Sequence, residues 1–174
     1  MNHAFKFSVR ASMVCVCGLL VACVSIENPL NPPAAKKADG ISFVAPNTIG
    51  KNDFKEIKNG TVDQAWQDSQ NGNTIAFLSE CNPKSDEPVK EMESENIAAM
   101  TSVEILESRM GSFNEREALF STVKGQVDGV DVKLRLVIFK KDGCNYTLSY
   151  VCRRKYFEHD ERIFKTFVEG FKAP

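Results

Sequence analysis

The chain has 174 residues, 43% of them hydrophobic, which is enough for one domain with a real core, since a single domain usually takes about 100–150 residues. That length argues against two independent domains. A formal net charge of -1 and a pI near 6.2 supply no overall basic field, so nucleic acid is excluded as the default partner.

The N-terminus has the layout of a secretory signal: Lys6 and Arg10 lead into an apolar run over residues 11–22. A run of that length falls short of the ~20 residues that span a bilayer. Residues 1–22 are therefore expected to be a signal peptide, with Cys15 and Cys17 serving only as small apolar residues inside it. At its end, Leu20-Val21-Ala22-Cys23 resembles the lipobox of bacterial lipoproteins, in which small residues precede a cysteine that receives a diacylglycerol thioether before cleavage. The resemblance implies lipidation of Cys23 and a membrane held through the N-terminal lipid. Each buried methylene contributes ~0.8 kcal/mol, and two chains make a stable anchor where one does not. In that family an aspartate after the lipidated cysteine retains the protein in the inner membrane; Val24 at this position implies the outer membrane, with the domain facing the periplasm or the cell surface.

Residues 23–40 contain Pro29, Pro32 and Pro33 and few large apolar side chains, and are expected to form a flexible linker. At ~3.1 Å per residue such a tether reaches about 50 Å. Lys36 and Lys37 are read as solvated spacer residues.

A single α+β domain is expected over residues 41–174. "ISFVAP", residues 41–46, reads as a short strand stopped by proline. Asn71-Gly72 between two strand-like runs signals a two-residue hairpin turn, which would set Trp66 opposite Phe77 with Ile75 and Cys81 on the same face. "SDEPVKEMESENIAAM" predicts a helix capped by Ser85 or Asp86, with Val89, Met92, Ala99 and Met100 on its apolar side. Its Glu91, Glu93 and Glu95 are expected to be a solvated face, with no metal role.

From Thr101 the hydrophobic period changes to two. A two-residue turn at Asp128-Gly129 sets Lys124 opposite Lys133 and groups Leu119 and Val123 with Leu134, Leu136 and Ile138. At Lys141-Asp142-Gly143 two registers compete. A two-residue loop faces Leu134, Leu136 and Ile138 with Val151, Ser149 and Thr147; a three-residue loop pairs them with Tyr150, Leu148 and Tyr146. The second keeps one apolar face continuous and is the expectation. The chain closes with a helix whose stripe of Phe157, Ile163, Phe164, Phe167, Val168 and Phe171 is expected to be core.

Strands, a helix, a four-strand meander and a final helix make an antiparallel sheet of about six strands flanked by two main helices. That order, with the aromatic strand "CNYTLSYVCRR" running into a phenylalanine-rich helix, resembles the Mog1/PsbP/DcrB-like group over residues 41–171. The resemblance implies an α/β/α sandwich that serves as a noncatalytic binding or assembly module, with an envelope protein as partner.

Three cysteines lie beyond Cys23: Cys81, Cys144 and Cys152. In an oxidising compartment a disulfide is the first expectation. Cys144 and Cys152 share one strand at a separation of about 26 Å, against a bridging limit of about 7 Å, so a bond must use Cys81. Pairing with Cys144 joins two strand ends and is the expectation; Cys81 with Cys152 is the alternative. Cys81, Cys144, Cys152 and His159 lack the close cysteine pair of structural zinc, so neither metal nor cofactor is expected. His159 is the only histidine after the signal, and a thiol- or histidine-dependent enzyme would have to centre on it, with Cys152. The first expectation is a protein that is not an enzyme; that enzyme, or a purely structural envelope protein, is the alternative.

Overall fold

The computed structural model describes residues 36–81 and 87–174. Cys23, the signal segment and the capping residues Ser85 and Asp86 lie outside them.

Seven antiparallel strands form one sheet: β1 Phe54–Ile57, β2 Gln64–Asp68, β3 Thr74–Cys81, β4 Thr101–Phe113, β5 Arg116–Val127, β6 Val130–Lys141 and β7 Cys144–Arg153. Their order is β1-β2-β3-β7-β6-β5-β4, so β7, last in sequence, sits at the centre. Helix α1, Val89–Ile97, joins β3 to β4, and helix α2, Phe157–Gly170, closes the chain. The class is α+β, with seven strands where about six were expected. β1 is the unforeseen one, its short FKEI run lying between polar residues that give no alternation to read. The predicted strand at 41–46 does not form. Its only ladder contact among the described residues is the bridge Ser42↔Lys172, and Pro46 opens a short 3-10 turn instead.

The β5–β6 register follows the Asp128-Gly129 turn as expected, including Lys124 opposite Lys133. The β6–β7 expectation is corrected. Lys141 pairs with Cys144 across a two-residue Asp142-Gly143 turn, whose residues have φ of 51° and 77°, and Leu134, Leu136 and Ile138 face Val151, Ser149 and Thr147. Both faces of the sheet are covered, so keeping one apolar face continuous was the wrong criterion. Phe139, Val137, Tyr146, Leu148 and Tyr150 pack under α2, while Leu134, Leu136, Ile138 and Leu119 pack under Met92 of α1.

The β2–β3 register is also corrected: Trp66 stands opposite Ile75, and Phe77 opposite Gln64. The loop has four residues because the Asp68 carboxylate accepts from the main-chain N–H of Gln70 (2.8 Å) and Asn71 (3.0 Å), and Asp68 and Asn73 close it. A shift of two residues preserves the faces, so Trp66 is still core. It packs with Phe43, Phe77 and Phe167 at ring separations of 5.5–6.5 Å.

α2 presents Phe157, Ile163, Phe164 and Phe167 to the sheet, and Phe171 just beyond it is fully buried. α1 departs from expectation at two residues. Ala99 lies exposed beyond its end, and Glu93, read as solvated, is 1% exposed. The end of the expected linker packs on the domain. Cys81 N–H donates to the Lys36 carbonyl (2.7 Å), Ala38 N–H to Ser79 Oγ (2.9 Å), and Lys37 pairs with Asp63 (2.8 Å).

Candidate functional site: a groove between the final helix and the free-edge strand

β4 ends the sheet and extends past the cover of α2. Between them lies a groove of about 580 Å³. On the α2 face the pleat directs Glu107, Arg109 and Phe113 of β4, Phe120 and Thr122 of β5 and Arg135 of β6 toward it. Helix α2 supplies Phe164, Lys165, Val168 and Glu169, and Lys172 follows from the tail. The floor is aromatic: Phe113 meets Phe120 and Phe139 edge-on at 6.4 and 5.1 Å. The Arg109 guanidinium lies 4.5 Å above the Phe120 ring while its Nε donates to Glu107 (2.9 Å). Gly111 keeps this wall open, since a Cβ there would come within 3.0 Å of the Phe120 ring.

Four cations line the groove against two carboxylates, so its field favours an anion. Arg135 is turned toward Glu161 and donates to Thr122 Oγ1 (3.2 Å), and Lys165 reaches Glu169 at 3.9 Å. Among the described residues no carboxylate pairs with Lys172. Asn114 braces the far end, donating to the Phe171 carbonyl (3.0 Å) and accepting from Ala173 N–H (2.9 Å).

The residues singled out in the sequence lie elsewhere. Cys81 and Cys144 are direct partners across β3 and β7 and form a disulfide, S–S 2.01 Å. Cys152 is the buried free thiol of the described residues; burial pushes it up to about 11, partly offset by Tyr150 and Lys133, so at neutral pH it is a protonated thiol and a poor nucleophile. His159 has a side chain 68% exposed, with Nδ1 2.8 Å from Asp160 Oδ1. Asp160 is buried for a structural reason. Its Oδ2 accepts from Asn73 (2.7 Å) and Asn71 (3.0 Å), tying the β2–β3 loop to α2, and Asn73 also donates to Tyr150 Oη (3.1 Å). No group of His, Cys, Asp or Glu among the described residues is arranged to hold a metal ion.

Among the described residues, Glu93 is the buried acid on the opposite face near β4. Burial alone would raise its carboxyl, but the hydrogen bond and charge of Lys90, with the nearby Ser121 and Ser108 hydroxyls, outweigh that and hold it below the ordinary range. Lys90 Nζ bridges Glu93 Oε2 (2.5 Å) to Ser108 Oγ of β4 (2.6 Å), fastening α1 to the edge strand.

No family model matches the sequence, and neither does any curated protein. Solved structures do match. Cyanobacterial PsbP (CyanoP) from Synechocystis sp. PCC 6803 is 9% identical with a TM-score of 0.52, covering 84% of this chain and 96% of its own. The fold is PsbP-like. LpqN of Mycobacterium tuberculosis, a protein involved in cell envelope biogenesis, is 10% identical with a TM-score of 0.55, covering 77% of this chain and 83% of its own. At these identities the likeness carries the architecture alone. No helix of the described residues is long and apolar enough to cross a membrane.

The sequence reading missed the groove because its walls come from β4, β5, β6, α2 and the tail, and no local spacing signals their convergence. What the sequence does hint at is the free edge beside it: Val103, Ile105, Leu106 and Met110, all exposed and none of them lining the groove, sit on a strand that the meander places at one end.

Proposed function

We propose that this protein is a noncatalytic binding module of a bacterial envelope, tethered to the outer membrane by lipid on Cys23, and that it binds an envelope component in the groove between α2 and β4. The observation that carries this reading is the groove itself: a concave, aromatic-floored surface with an excess of cations. The buried, protonated Cys152 and the exposed His159 support a binding role over thiol or histidine chemistry.

A photocrosslinking residue in place of Glu169, exposed on α2 at the groove, tests the site in native membranes. One discrete adduct is expected, lost when Lys165→Glu and Lys172→Glu are combined; no adduct, or one insensitive to the pair, refutes the site. Cys23→Ser is expected to abolish both the lipid mass gain and detergent-phase partitioning, and an unmodified Cys23 in the mature protein would sink the anchor. His159→Ala is expected to leave function intact. Loss of a phenotype at unchanged stability would favour the enzyme reading.

A further inference from the structure

β4 is a free edge of 13 residues, whereas the opposite edge, β1, has four. Unpaired edges usually carry proline, lysine or bulges that block further pairing. β4 contains neither proline nor lysine, and its register shifts with β5 fall before Glu107. From Glu107↔Thr122 to Phe113↔Arg116 the ladder runs on without a shift, about 20 Å of regular strand with its outer main-chain groups unpaired in the sheet. Met110, on the α1 face of this half, is 45% exposed. Arg109 and Phe113, on the other face, wall the groove.

Resting on the groove reading, we propose that the occupant is an extended acidic peptide segment that adds along residues 107–113 of β4 as a further strand. The free edge supplies main-chain hydrogen bonds, and the pleat sends alternate side chains of the added strand to opposite faces. One set enters the groove, where acidic residues meet Arg109, Lys165 and Lys172. The other lies beside Met110 and is apolar. The partner segment therefore alternates acidic and apolar residues, and the unpaired charge of Lys172 sets its sign.

The test uses the full chain carrying Cys23→Ser and a blocked heptapeptide of alternating glutamate and valine, read by fluorescence anisotropy and by amide hydrogen exchange. Saturable binding with new protection confined to residues 107–113 is expected. N-methylation of one alternate set of peptide amides should weaken binding at least about tenfold while methylation of the other set is tolerated, because an added strand uses one edge. The pair Lys165→Glu and Lys172→Glu, both exposed, should weaken it about tenfold and admit the matching lysine–valine peptide. Equal tolerance of both methylated sets, or protection elsewhere, overturns strand addition. The small anion 3-phenylpropionate separates the two claims: if it binds the groove and the peptide does not, strand addition fails and the groove stands; if neither binds, both fall.

Discussion

Reduction of Cys81–Cys144 should be the most damaging covalent change available to the folded domain. The bond closes a loop with a sequence separation of 63 and joins β3 to the central strand β7. Chain-entropy arguments give such a loop about 4 kcal/mol, through restriction of the unfolded chain. For a domain of this size, ~4 kcal/mol lowers Tm by about 12–16 °C. The native ladder on either side of the bond has no need of it, since Glu80↔Asn145 and Lys141↔Cys144 pair through the main chain, so the reduced protein should keep its far-ultraviolet circular dichroism at 25 °C. Urea unfolding with and without a phosphine reductant measures the difference, with Cys81→Ser/Cys144→Ser as the control free of reductant. Alkylation after denaturation without reductant should recover Cys81 and Cys144 as one linked peptide and Cys152 as a modified thiol. A stability loss under about 1 kcal/mol, or a linked Cys81–Cys152 peptide, would refute the argument.

Phe167→Ala removes a fully buried ring that lies 5.8–5.9 Å from Trp66, Phe43 and Phe171, and should cost about 3–5 kcal/mol by calorimetry or urea unfolding. Glu93 has its carboxyl held below the ordinary value of 4.5 in the fold, so its contribution is complete above that value and lost as pH falls through the lower one. Glu93→Gln should thus cost about 1–2 kcal/mol at pH 7, and the gap to wild type should close on acidification, measured by urea unfolding across pH. Cys152, pushed up to about 11, should resist iodoacetamide in the native protein at pH 8 and react on unfolding; its contribution to stability fades as pH rises toward that value. Asn73→Ala leaves Asp160 and Tyr150 short of a buried donor and should cost about 1–3 kcal/mol, read the same way.

Where one local signal decides, the sequence was legible. Asp128-Gly129 determines the β5–β6 register without help from the rest of the chain, and the phenylalanine spacing of α2 finds its buried face. Asn71-Gly72 misled because the deciding group is a side chain, the Asp68 carboxylate, which holds a longer loop open. The β6–β7 register misled for a different reason. With α1 on one face and α2 on the other, both Leu136 and Val137 are buried, and alternation no longer says which neighbour is right. Glu93 sits between exposed Glu91 and Ser94 in sequence, and only Lys90 and β4 together make its burial tolerable. The groove depends on five segments and was beyond any local pattern.

The clasp formed by Lys36, Lys37 and Ala38 decides how the domain would bear mechanical load. A pull on the chain ahead of Lys36 meets the Lys36 main-chain bond to Cys81 and the Lys37–Asp63 pair before it can reach β1. Cys81 is welded to Cys144, so tension passes into β7 in the middle of the sheet and is spread across the strands on either side. A pull applied at Lys36 is therefore expected to load the middle of the sheet before its short outer strand.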